Sequence, residues 1–345
     1  MAKRKKKKNS RPQPAPIPVR KKTPWGWIVA CSLVTLAALA LILIFLLSGN
    51  QQGTQPEDPN AAITPTVDTT NQVSMRIVKP GSAYVEPNDS AATVYYFRKG
   101  DVVNVVNIES TWATIAVEGR PYYLPTSTLR AMDEFLVVID AGHQIKVDNN
   151  KEALGPDGTE TEPRMEAGNV GVSTFMQEHE LTMAVALKLK DSLEQKGYQV
   201  ILTRNHSGVE IVSNAERAQV ANKLYADAYI SLHASSSEDD QVQGVYTMCQ
   251  TSNNSFNGDL YTQSKSLSDE ILEAVVTATG ATKLSRQETD KVSGINWSQV
   301  PVSFVEMGYL SNVQEDQLLA TEEYQQKLAE GIANGIDRYF TTEDK

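Results

Sequence analysis

Residues 25–47 form a run of 23 residues without one charged side chain, directly behind a tail, residues 1–22, that holds ten lysines or arginines and no acid. At about 1.5 Å per residue a helix over that run reaches roughly 35 Å, enough to cross the hydrocarbon core of a bilayer. Trp25 and Trp27 stand where an interfacial aromatic belt belongs, and the cationic tail keeps its own end in the cytoplasm. A cleaved signal peptide has an apolar core of about 7–15 residues and a small-x-small cleavage site. This core is longer, and no strong site of that kind follows it. The expectation is therefore a single-pass anchor over 24–48 in the cell membrane, with a cytoplasmic N-terminus and everything downstream outside the cell.

Charge and cysteine usage narrow what that outer part does. Without the ten tail cations, 22 of the 32 basic residues face 42 acids, so the exported part carries about −20. That balance argues against a nucleic-acid partner. Only Cys31, inside the apolar run, and Cys249 are present, so no intrachain disulfide stabilises the exported part, which suits a bacterial cell envelope. Cys249, in "YTMCQT", reads as a small buried side chain and not as a nucleophile. Residues 49–74 are rich in Gln, Pro, Thr and Asn with few large apolar side chains, the composition of a tether.

Over 75–132 the pattern changes to short alternating runs, "MRIVK", "SAYVE", "TVYYF", "DVVNVVNI", "TWATIAV" and "RPYYLP". Five or so short strands in fewer than sixty residues predict a small all-β barrel. The phrases "RKGDVVNVV" and "TWATIAVEGRPYYLPTSTL" resemble the bacterial Src-homology-3-like domain, whose members often bind cell-wall peptides. Trp112, Tyr122 and Tyr123 are the aromatics available to line such a groove, and equally the aromatics available to fill the core of so small a barrel.

From 135 to 342 strands and helices alternate. Strands are expected at 135–140, 198–204, 227–234, 244–250 and 301–307, and helices at 178–196, 213–226, 260–280 and 321–340. This is the rhythm of an α/β domain with an open, mostly parallel sheet covered by helices on both faces. Two long polar stretches, 144–177 and 280–300, interrupt it. Loops of that length are functional or mobile; for 144–177 a lid over the site and an Ω-like loop without a regulatory role are both open.

Three residues suited to chemistry end three expected strands: His143 after "VVIDAG", His233 in "AYISLH" and Glu306 in "PVSFVE". The carboxyl edge of an open α/β sheet is where ligands bind, so a metal site there stands beside the alternative of separate solvated loop residues. The stretch "QEHE" at 177–180 adds a carboxylate. At about 100° per residue, Glu178 falls within the apolar stripe of Leu181, Val185, Ala186, Leu189 and Leu193, whereas Glu180 falls outside it. An inward carboxylate costs several kcal/mol unless a cation or donors satisfy it. Glu178 therefore needs a partner, and Glu180 is free to complement the helix dipole. His143, Glu178 and His233 then make a two-histidine, one-carboxylate set of the kind that leaves a zinc position open to water, with Glu306 as the spare carboxylate beside it. His179 reads as a partly exposed bystander or as a support to that set, and His206 as a surface residue.

At these residues the sequence resembles the zinc-dependent N-acetylmuramoyl-L-alanine amidases. That family's pattern is a strand ending in Ile-Asp-Pro-Gly-His, a Glu opening a helix, a strand ending in Ser-x-His-Ala, and a strand ending in Val-Glu-x-Gly-[Phe/Tyr]-[Leu/Met]-[Ser/Thr]-Asn. Here "VVIDAGHQ", "EHELTMAVALKLKDSL", "DAYISLHAS" and "VPVSFVEMGYLSN" appear in that order. The resemblance implies that His143, Glu178 and His233 bind zinc, that Glu306 is the catalytic acid/base, and that the substrate is peptidoglycan, cut between N-acetylmuramic acid and L-alanine. Ala141 replaces the usual Pro, Gln144 stands where Gly is common and Thr182 replaces Asn; these departures bear on loop shape and on the bonds that support the ligands. The competing expectations are a non-catalytic wall-binding protein and a zinc peptidase acting within the stem peptide.

Overall fold

A computed structural model of the chain describes residues 67–204 and 211–343. The expected anchor at 24–48, the basic tail, most of the tether and His206 lie outside the described residues. Among the described residues, no helix is long and apolar enough to cross a membrane.

The N-terminal part is an antiparallel sheet of seven strands: β1 (Val73–Ile77), β2 (Gly81–Tyr84), β3 (Thr93–Phe97), β4 (Val102–Glu109), β5 (Trp112–Val117), β6 (Arg120–Pro125) and β7 (Leu129–Ala131), in the order β3-β2-β6-β5-β4-β1-β7. The six alternating runs of the sequence correspond to β1–β6, and the strand they leave out, β7, has three residues, too few for alternation to reveal. Val117 pairs with Arg120 around Glu118 and Gly119, at φ 52° and 76°. Positive φ at both central residues is the type I′ geometry whose twist suits a tight hairpin. Ile77, Ala83, Val103, Val105, Ala113, Ile115 and Leu124, from five different strands, form one buried cluster.

The second part is α/β. Its strands are β8 (Leu136–Ala141), β9 (Asp148–Ala153), β10 (Thr161–Met165), β11 (Gln199–Leu202), β12 (Ala228–Ser235), β13 (Tyr246–Cys249), β14 (Gln287–Glu288) and β15 (Val302–Tyr309). Its helices are α1 (Glu178–Gln195), α2 (Asn214–Lys223), α3 (Tyr261–Thr279), α4 (Ser293–Asn296), α5 (Val313–Leu319) and α6 (Glu322–Glu343). Six strands form the main sheet in the order β11-β8-β12-β15-β13-β14. The first four are parallel, and β13 runs antiparallel to β15.

The period of two along each strand assigns its side chains to two cores. Val137, Ile139, Ile230, Leu232, Val305 and Met307 face α1, α3 and α6, while Leu136, Val138, Tyr229, Val302 and Phe304 face α2 and α4. Asp140, Ser231, His233 and Glu306 have the parity of the second set. Cross-strand register pairs Asp140 with Ser231 and His233 with Glu306, so these four lie on one face near the carboxyl edge.

The two polar stretches are not structureless. Within 144–177, β9 and β10 pair as an antiparallel hairpin, and 280–300 holds β14 and α4. The hairpin is tied down: Trp297 Nε1 donates to Ala153 O at 2.9 Å, Asn296 Nδ2 to Leu154 O at 3.1 Å, and the Ala215 backbone N–H to Glu152 Oε1 at 3.1 Å. It stands as a wall of the cleft. Its sequence, "DNNKEA" and "TEPRM", carries no apolar alternation, and Met165 is its one fully buried side chain.

At the opposite, amino edge of the sheet the two parts meet. Asp227, just before β12, accepts from Arg76 Nη1 at 3.0 Å and Arg130 Nη1 at 2.6 Å, and from the Leu136 backbone N–H at 2.8 Å. Lys99 Nζ donates to Ala226 O at 2.9 Å, and the Arg76 guanidinium lies 4.6 Å from the Phe135 ring centroid.

Candidate active site

His143 follows β8 by two residues with φ of 57°, in the left-handed region. A non-glycine residue there costs roughly 1–3 kcal/mol and persists only where its surroundings hold it. Here every carbonyl on the way is held. Ala141 O accepts from Arg204 Nε at 2.8 Å and Arg217 Nη1 at 2.7 Å, Gly142 O from Thr182 Oγ1 at 2.8 Å, and His143 O from Arg217 Nη2 at 3.0 Å. A Cβ on Gly142 would stand 2.4 Å from His233 Cε1, so only glycine lets the two histidines approach. The departures noted in the sequence are absorbed by this lattice. Thr182 reaches the turn through its hydroxyl, and Gln144 Oε1 accepts from Arg217 Nη2 at 2.9 Å and the Val212 N–H at 3.1 Å.

Glu178 opens α1 and is 1 % exposed, whereas Glu180 is exposed. The inward and outward assignments made on the helical wheel are thus what the fold displays. One Glu178 oxygen, Oε1, lies 3.3 Å from His143 Nε2 and 3.2 Å from His233 Nδ1, and one donor atom from each residue falls within 4.8 Å of the other two. The imidazole rings stand 4.9 Å apart and nearly perpendicular, at 85°. His143 Nδ1 is 3.0 Å from Glu166 O. A carbonyl only accepts, so Nδ1 carries the hydrogen and Nε2 presents its lone pair to the group. Burial alone would raise the Glu178 carboxyl, but the two histidines hold it well below the usual carboxylate range. A buried carboxylate facing two imidazole nitrogens, one of them a lone pair, is a donor set suited to a divalent ion such as zinc.

Glu306, facing His233 across β12 and β15, is 9 % exposed, and its Oε2 is buried without a hydrogen-bond partner. Burial pushes its carboxyl up to about 7, against the opposing pull of His233 and with the added push of the Glu178 charge. The Phe304 ring stacks on His233 at 5.3 Å and 6°. Beside these residues runs a cleft of about 260 Å³ whose wall includes Glu162 and Glu166 from the hairpin side, Asn214, Lys291 and Met248.

Other residues singled out in the sequence lie outside this group. The half-buried His179 ring is not part of it, although its backbone oxygen accepts from Arg204 Nη2 at 2.7 Å. Cys249 is fully buried, 3.5 Å from Arg286 Nη1, and burial raises its thiol. In the small sheet, Trp112 packs edge-on against Tyr84 at 5.4 Å and Tyr122 against Tyr95 at 5.1 Å.

Two residues that sequence reasoning passed over support the site. Asn169 donates to Glu178 Oε2 through its backbone N–H at 2.7 Å and through Nδ2 at 3.1 Å, and Nδ2 also reaches Ala234 O at 2.8 Å. It sits in an irregular stretch, where no period points to it. Arg217, 1 % exposed, had a signal: in "NAERAQVA" the wheel puts it next to the buried Ala221, and an inward arginine demands anions or carbonyls.

The model of the N-acetylmuramoyl-L-alanine amidase family matches residues 137–338, more than half of the chain. The chain belongs to this family. It is a peptidoglycan hydrolase, cutting the amide between N-acetylmuramic acid and L-alanine. It is similar to the germination-specific N-acetylmuramoyl-L-alanine amidase of Bacillus subtilis, at 27 % identity over 241 residues, covering 64 % of this chain and 84 % of that protein. LytH, the probable cell wall amidase of Staphylococcus aureus, is 24 % identical over 263 residues, covering 74 % of this chain and 80 % of its own. That alignment is longer than the stretch from residue 137 to the end of the chain, so it extends upstream into the small sheet. The fold is that of the amidase Ami1 from Mycobacterium smegmatis, with a TM-score of 0.55 at 23 % identity over 60 % of this chain and 97 % of that one.

Proposed function

We propose that this amidase is a membrane-tethered zinc enzyme in which His143, Glu178 and His233 hold the ion and Glu306 moves the proton. The observation that carries the reading is the convergence of three donor atoms within 4.8 Å beside the unpartnered Glu306 Oε2. When bound, zinc supplies a Lewis acid for the scissile carbonyl and acidifies the attacking water. Glu306 takes a proton from that water and delivers one to the nitrogen of L-alanine as the C–N bond breaks. The products are a lactyl carboxylate on the sugar and a stem peptide with a free amino end. In the metal-free protein burial raises that carboxyl above its ordinary value, which favours its taking up a proton from the water. Phe304 and the clamped turn after β8 hold the two imidazoles in place while this happens.

The charge-free run at 25–47 is the proposed anchor, placing the catalytic part on the outer face of the cell membrane. The small sheet is the proposed Src-homology-3-like barrel, and Trp112, Tyr122 and Tyr123 are its candidates for wall-peptide binding. The extension of the LytH alignment into this region supports treating it as a regular companion of the amidase part. The deciding experiment digests purified peptidoglycan with full-length protein and with Glu306→Gln, and reads the products by mass spectrometry together with the zinc content. Intact stem peptides beginning at L-alanine are expected from the wild type and at most a trace of them from the variant, with zinc bound by both. Stem peptides released by Glu306→Gln at a rate near that of the wild type, or cuts inside the stem, would overturn the assignment.

A further inference from the structure

Each ligand histidine must present one ring nitrogen as a lone pair, and the backbone settles this for His143 alone. His233 is settled by side chains. Its Nε2 lies 3.2 Å from Ser231 Oγ, and Ser231 Oγ lies 2.7 Å from Asp140 Oδ2. A serine hydroxyl has one hydrogen to give, and a carboxylate can only accept. Asp140 is a carboxylate: Arg217 Nη1 donates to its Oδ1 at 2.7 Å and Thr203 Oγ1 at 2.6 Å. The Ser231 hydrogen is thereby committed to Asp140, and the Ser231 oxygen is left to accept from His233. Nε2 of His233 must then carry its hydrogen, and Nδ1 is the atom turned toward Glu178.

We infer that Ser231, backed by Asp140, is a positioning residue for the reaction: it fixes the His233 tautomer and ring orientation so that Nδ1 is offered to the metal. The inference rests on the zinc reading above. It gives a role to the aspartate of "VVIDAG" and the serine of "YISLH", neither of which is one of the three candidate metal ligands. It also explains their spacing. Ser231 and His233 are two residues apart on β12 and so share a face, and Asp140 is the cross-strand partner of Ser231 on β8. All of Asp140, Ser231, Thr203 and Arg217 are buried, Ser231 at 0 % exposure, so water does not compete for these bonds. Partners of this kind behind a metal-bound histidine typically contribute roughly 10–100-fold in metal affinity.

The test compares zinc affinities, by chelator competition, of full-length wild type, Ser231→Ala and Ser303→Ala. Ser303 is an equally buried serine on the neighbouring strand, and its oxygen lies 2.9 Å from Ser268 Oγ, away from any histidine. Both variants lose a buried hydroxyl, so both lose stability. Only Ser231→Ala is expected to weaken zinc, by roughly 10–100-fold. In the wild type, 15N-histidine labelling reports just four rings, and His233 is expected to show a protonated Nε2 in the zinc-bound protein. Equal zinc affinity in all three proteins, or an unprotonated Nε2, would overturn the relay while leaving the zinc reading intact. A wild type that binds no zinc would overturn both.

Discussion

The two ends of the main sheet each bury a carboxylate, and they treat it in opposite ways. Asp227, at the amino edge, is 7 % exposed and meets two arginines and a backbone N–H. Glu306, at the carboxyl edge, is 9 % exposed, faces another carboxylate and a histidine, and keeps one oxygen without a partner. The first is what a fold does with a buried charge when only stability is at stake. The second lacks such partners, which is what the proposed acid/base role asks of it, and it sits within the well-bonded lattice of Arg217, Arg204 and Asp140.

The two residues therefore have opposite mutant signatures. The largest effect belongs to Glu306→Gln: cleavage of peptidoglycan falls by about 10²–10⁴-fold, the range of a general acid/base, while the protein melts no lower than wild type. Asp227→Ala comes next. It leaves Arg76 and Arg130 without their anion and costs about 3–5 kcal/mol of unfolding free energy, measured by denaturant titration, with the activity of the folded fraction unchanged. A loss of turnover without loss of stability would remove Asp227 from the structural class.

The smallest effect is a pH dependence. In metal-free protein the Glu306 carboxyl is raised from 4.5 to about 7. A carboxyl raised on folding holds its proton more tightly in the folded state, so its contribution to stability is fully present below the unfolded value and is lost as pH rises to about 7. Melting of chelator-treated wild type should therefore fall between about pH 4.5 and 7 relative to Glu306→Gln, and run parallel to it above that window. Parallel curves throughout would mean that Glu306 is solvated.

Much of this site could be read before any coordinates. Strand ends marked His143, His233 and Glu306, and a helical period of 3.6 separated Glu178 from Glu180, because those signals are local and repeat. What stayed hidden was non-periodic or too short. The β9–β10 hairpin has no apolar face, α5 has seven residues and α4 four, and Asn169 works through a loop geometry that no spacing encodes. The Asp140–Ser231 link is hidden for another reason: it crosses between two strands, and register is decided by the packing of the whole sheet.

The inward turn of Glu178 and the outward turn of Glu180 is the central claim in its smallest form, and metal analysis reads it directly. Full-length wild type and Glu180→Ala should each hold about one zinc ion per chain, and Glu178→Ala close to none, since a three-residue set that loses its only carboxylate no longer holds the ion. Equal zinc in Glu178→Ala and wild type would contradict the account.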